Sequence, residues 1–104
     1  MLSDNIKIYQ SNIEKDCVKV KEVGINELII ILPLEGFTIN ISTPLFDIES
    51  ISPAEISLIG ITPNEFRLLV FTPEFQLITI VPSLVLEVFN PEGVRIIRVV
   101  VPPE

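Results

Sequence analysis

Eight prolines cut the chain from residue 33 onward into pieces of nearly constant length. They fall at Pro33, Pro44, Pro53, Pro63, Pro73, Pro82, Pro91 and Pro102, with gaps of 11, 9, 10, 10, 9, 9 and 11 residues. Proline has no N–H for a sheet ladder and collects at turns and strand ends. The stretches between the prolines are rich in Ile, Val, Leu, Phe and Thr, side chains that suit a pleated, half-buried strand. Strand, corner, strand about once per ten residues is the spacing of an all-β sandwich or barrel. The expected fold is therefore a single antiparallel β-domain over residues 1–104, with about 8–10 short strands and proline-marked turns. Residues 1–16 are its irregular N-terminal segment, with a short first strand around Ile6–Tyr9.

Within this pattern Cys17–Val23 alternates, with Lys19 and Lys21 opposed to Val18 and Val20, as in a strand that blunts a sheet edge. Ile29, Ile30, Ile31 and Leu32 leave no polar side, so Glu27–Leu34 is expected to be covered on both faces. Asn90-Pro91-Glu92-Gly93 is a type I turn with a left-handed glycine, closing a hairpin between Leu84–Phe89 and Val94–Val101. Regular alternation puts Arg95 and Arg98 on opposite faces of that last strand.

One stretch admits a second reading. Ser52-Pro53-Ala54-Glu55, Thr62-Pro63-Asn64-Glu65 and Thr72-Pro73-Glu74-Phe75 begin ten residues apart. Ser or Thr, then Pro, with Glu three residues on, is also a helix N-terminus signature. Ile61–Leu69 (ITPNEFRLL) looks like the opening helix of the winged-helix DNA-binding domain of response regulators, over nine residues. That resemblance implies one short helix within 53–69. Val70-Phe71-Thr72-Pro73 then ends the pattern and no basic recognition helix follows, so strands are the preferred reading.

Composition narrows function by exclusion. The chain has no histidine, one cysteine and no glycine-rich loop, which leaves no candidates for nucleophilic triads, zinc sites or nucleotide fingerprints. Asp47 and Glu49 share a strand face, and Glu14 and Asp16 would too if extended. Two such carboxylates can hold Ca²⁺ or Mg²⁺ or run acid–base hydrolysis. Neither pair has a glycine-turned calcium loop, and solvated carboxylates are the default reading of either. The aromatics Tyr9, Phe37, Phe46, Phe66, Phe71, Phe75 and Phe89 would line the cavity of a ligand-binding barrel or fill a core. A net charge of −7 argues against nucleic-acid binding. Between Lys21 and Arg67 there is no cation and there are seven acids, either a solvated face or a surface for a basic partner.

The longest charge-free stretch, Phe75–Leu86, is 12 residues and contains Pro82, too short for a spanning helix. With no signal-peptide pattern at Met1-Leu2-Ser3-Asp4 and no second cysteine, a cytoplasmic protein is expected. Yet 48% of residues are hydrophobic and the mean hydropathy is +0.57, more apolar surface than one small core hides. These features favour a non-enzymatic structural or adaptor domain, without cofactor or metal, that binds copies of itself or a protein partner. The alternative is a barrel that carries a small hydrophobic ligand. Val94, Ile96, Ile97, Val99 and Val101 are the expected interface, on the view that a terminal strand offers its edge to another chain. The competing view places that strand in the middle of its own sheet.

Overall fold

A computed structural model describes residues 5–11 and 17–103. Among them lie ten strands: β1 (Lys7–Gln10), β2 (Lys19–Val23), β3 (Glu27–Leu32), β4 (Thr38–Ser42), β5 (Asp47–Ile51), β6 (Ala54–Thr62), β7 (Glu65–Phe71), β8 (Gln76–Val81), β9 (Leu84–Phe89) and β10 (Arg95–Val101). They form two five-stranded antiparallel sheets, ordered β1-β10-β9-β4-β5 and β2-β3-β6-β7-β8. The architecture is an all-β sandwich.

Outside one bulge in β6, between Gly60 and Thr62, and one in β10, every second residue of each sheet points inward. In the first sheet one inner row runs Ile8, Val99, Leu86, Ile41, Ile48 across the five strands. In the second, Val20, Ile30, Ile56, Val70 and Leu77 do the same. Phe37 and Phe66 are the largest side chains enclosed between the layers, each contributing about 1.5–3 kcal/mol by leaving water.

The prolines divide into two structural kinds. Pro44, Pro63, Pro73 and Pro91 sit in hairpin turns, and the residue before each is a side-chain acceptor. The Thr43 hydroxyl accepts the N–H groups of Leu45 and Phe46 at 3.1 and 2.9 Å. Thr72 does the same for Glu74 and Phe75 at 3.2 and 3.0 Å, and Asn90 Oδ1 for Glu92 and Val94 at 3.0 and 2.9 Å. In the last turn Gly93, at φ +84°, donates its N–H to the Asn90 carbonyl at 2.9 Å. This is the expected β9–β10 hairpin.

Pro33, Pro53 and Pro82 instead mark the places where the chain crosses between the sheets, after β3, β5 and β8. There the preceding residue serves the core. Buried Ser52 donates its N–H to the Phe37 carbonyl and accepts the Phe37 N–H on its hydroxyl, both at 2.9 Å.

No helix lies within 53–69: β6 and β7 occupy it. The Thr62 hydroxyl accepts the Asn64 N–H at 3.3 Å and donates to Glu65 Oε1 at 3.2 Å. The first is a contact a helix cap would also make, but Thr62 pairs with Glu65 across an antiparallel ladder. Hydroxyl capping of i+2 and i+3 serves a tight turn as well as a first helical turn. The resemblance of Ile61–Leu69 to a winged-helix opening therefore ends at the turn.

Two further readings change. The alternation in β10 is broken by a bulge, with Arg95 opposite Phe89 and Ile97 opposite Val88. The extra residue, Ile96, turns inward beside Ile97 and both are buried. Arg95 and Arg98 consequently lie on the same outer face, not opposite ones. In β3, Leu28, Ile30 and Leu32 are buried but Ile29 and Ile31 are only half-buried, because no third layer covers their side.

Candidate interaction surface

The registers place each proposed residue on a face. β10 is hydrogen-bonded on both sides, to β1 and β9. Ile96, Ile97, Val99 and Val101 are buried within the chain itself, and only Val94, just before the strand, is exposed. An interior strand has no edge to offer, so the topology has β10 in the middle of its own sheet. The supply of apolar surface for a partner lies elsewhere.

The outer face of the first sheet is polar along its middle, with Val100, Val85, Phe89 and Ile51 in the rows on either side. Its central row runs Tyr9, Arg98, Glu87, Asn40, Glu49. Arg95 Nη1 meets Glu87 Oε2 at 2.8 Å, and Lys7 Nζ lies 5.8 Å from the centre of the Tyr9 ring. A shallow depression lined by Tyr9, Gln10, Ser11, Arg95 and Arg98 follows from the bulge that brings the two arginines together. Asp47 and Glu49 do share this face, both exposed; the Ser42 hydroxyl donates to Asp47 Oδ1 at 3.0 Å. Glu14 and Asp16 fall outside the described residues. Among the described residues no cluster of three or more His, Cys, Asp or Glu could hold a metal ion.

The outer face of the second sheet is the more apolar of the two, with eight of its fifteen paired positions aliphatic or aromatic. Its three rows run Lys19, Ile31, Glu55, Phe71, Gln76; then Lys21, Ile29, Ser57, Leu69, Ile78; then Val23, Glu27, Ile59, Arg67, Ile80. The aliphatic and aromatic positions connect from β3 to β8 diagonally through Ile59, with Glu55, Ser57 and Arg67 between them along the rows. Ile78 and Ile80, on the last strand, are 65% and 51% exposed. At one end the patch runs into a depression lined by Ile31, Phe71, Pro33, Pro53 and Pro73, where the crossing and hairpin prolines add apolar walls. Lys19 and Lys21 hold the far edge on β2, as the sequence indicated. The aliphatic part of such a face can exclude water against another apolar surface; between its apolar positions the Ser57 hydroxyl donates to Glu27 Oε2 at 3.5 Å.

The acids between Lys21 and Arg67 do not gather on one surface. Glu27 and Glu55 belong to the second sheet's exterior and Asp47 and Glu49 to the first's. The aromatics do not surround one cavity either. Phe37 and Phe66 are in the core, Phe71 and Phe89 lie on opposite exteriors, and Phe75 and Tyr9 are exposed. Sequence reasoning missed Ile78 and Ile80 as surface residues. The signal was there: β8 alternates Gln76, Ile78, Ile80 with Leu77, Thr79, Val81, two apolar sets of which only one can face the core.

No helix among the described residues is long and apolar enough to cross a membrane. The chain matches no protein-family model, no curated protein and no solved structure.

Proposed function

We propose that this is a non-enzymatic structural or adaptor domain that associates through the second sheet, with copies of itself or with a protein partner. The observation that supports this most is the apolar exterior running from Ile29 and Ile31 to Ile78 and Ile80. The whole five-stranded face, with strands ~4.8 Å apart, presents on the order of 400 Å² in projection. Eight of its fifteen paired positions are aliphatic or aromatic, giving an apolar area within the range that the largest patch of a monomer covers. Such patches on otherwise charged proteins mark interaction sites. The alternative, a barrel enclosing a small hydrophobic ligand, draws less support, because the aromatics that would line it are dispersed over core and both exteriors.

Sedimentation velocity at micromolar concentration tests the proposal. The chain is expected to run as a dimer or larger, and Ile78→Lys to shift it towards monomer with its β-type circular dichroism retained. A wild-type monomer across the whole concentration range overturns the reading.

A further inference from the structure

Four strands end the two sheets: β1 and β5 in the first, β2 and β8 in the second. Three carry charge, with Lys7 in β1, Asp47 and Glu49 in β5, and Lys19, Lys21 and Glu22 in β2. β8, QLITIV, carries none. Charged edge strands are how proteins prevent sheet-to-sheet pairing. We infer that β8 is a self-pairing edge, which joins the same strand of a second copy antiparallel and continues the sheet across the two chains. The inference rests on the assembly role proposed above and names its partner and its geometry.

The backbone supplies the first argument. The β7–β8 hairpin closes with the Thr72 N–H donating to the Phe75 carbonyl at 3.0 Å. Hydrogen-bonded and non-hydrogen-bonded pairs alternate along an antiparallel ladder. From Thr72–Phe75 the bonded pairs are then Val70–Leu77, Leu68–Thr79 and Phe66–Val81. The N–H and C=O groups of Gln76, Ile78 and Ile80 point the other way, off the sheet edge. They are unpaired among the described residues, and an added strand would satisfy them.

Charge identifies the occupant. Two copies each carrying −7 repel, so an edge that accepts its own copy must not oppose like charges. Pairing β2 with itself about its middle residue sets Lys21 against Lys21, and pairing β5 likewise sets Glu49 against Glu49. β8 brings only uncharged side chains together. The register is bounded by Pro82 at one end and by the Thr72–Phe75 turn at the other. Centring on Leu77 would oppose Ile80 to Glu74, whose N–H already goes to the Thr72 hydroxyl. Centring the pair on Ile78 matches Gln76 with Ile80 of the second copy, and every outward group finds a partner. Centring it on Thr79 or Ile80 draws Pro82, which has no N–H, into the ladder. Around Ile78 the two apolar exteriors also come to lie side by side, one wider face that the edge contact extends without covering.

Disulfide trapping in a Cys17→Ser background tests the register. Residues directly opposed in a bonded pair have Cα atoms ~5.5 Å apart, within reach of a disulfide. Under mild oxidation the Ile78→Cys variant is expected to form a covalent dimer on a non-reducing gel. Ile80→Cys is expected not to, since its two copies would stand about 13 Å apart along the strands. Ile80→Pro removes an outward N–H that β7 does not use, a substitution edge strands tolerate. It should abolish the dimer without loss of the β-type spectrum. If the wild type sediments as a dimer but Ile78→Cys does not cross-link, or Ile80→Cys cross-links equally well, the edge is not the contact and this inference fails while the assembly role stands. If the wild type is a monomer throughout, both fail.

Discussion

Across the outer face of the first sheet, the row Tyr9, Arg98, Glu87, Asn40, Glu49 crosses five strands without an aliphatic side chain. The matching row of the second sheet, Lys21, Ile29, Ser57, Leu69, Ile78, carries three. The inner rows of both sheets are equally apolar. Packing a sandwich requires an apolar inner face and makes no demand on the outer one. The inner faces therefore record the fold, and the difference between the outer faces is something the fold itself does not require. A chain with ordinary exteriors on both sheets would have a lower hydropathy and the same core.

The comparison is first sharpened by a control that should treat both sheets alike. Phe66→Ala on the second sheet and Leu86→Ala on the first, both fully buried, are each expected to cost about 2–5 kcal/mol in denaturant unfolding. A small loss in one sheet and a large one in the other would mean that the layers do not share one core.

The outer faces should then part company. Leu69 and Asn40 hold equivalent places, each on the strand next to a sheet edge. Leu69→Lys is expected to reduce binding of a hydrophobic fluorescent dye several-fold, and Asn40→Lys to leave it unchanged. Both should alter stability by no more than about 1 kcal/mol. Equal dye binding in the two variants would break the contrast.

The smallest effect separates an apolar contact between like-charged copies from an acidic surface awaiting a basic partner. Added salt screens repulsion between exposed charges, so raising sodium chloride from low to moderate concentration should tighten self-association modestly. Weakening with salt would point instead to attraction between opposite charges.

The sequence carried the fold further than the site. The proline spacing, the lysines of β2 and the Asn90–Gly93 turn were each enough to place an element, because turn chemistry and period-two alternation are local. The two kinds of proline were not told apart, since Ser52-Pro53 at a crossing reads like Thr62-Pro63 and Thr72-Pro73 in hairpins. Those in hairpins follow Thr43, Thr62, Thr72 and Asn90, whose side chains cap the turn; those at crossings follow Leu32, Ser52 and Val81. What was not legible was non-local. An apolar run such as Leu28–Leu32 looks the same whether its second side is covered by another layer or left as an apolar exterior. Val94–Val101 looks like a terminal edge until β1, from the other end of the chain, pairs with it. Strand order decides both, and no single segment contains it.

The bulges have a consequence for how the chain tolerates changes in its own length. Elsewhere in a strand, losing or gaining one residue sends every later side chain to the opposite face. Removing Ile96 would not, because Arg95 already points outward and Ile97 inward on either side of it. The same holds for Ile61, the extra residue between Gly60, opposite Phe66, and Thr62, opposite Glu65. These two positions are where a one-codon deletion would leave inside and outside as they were. Ile61 is 50% exposed and Ile96 3%, so the β6 site can drift more freely, while the β10 site keeps its extra residue for the core it fills.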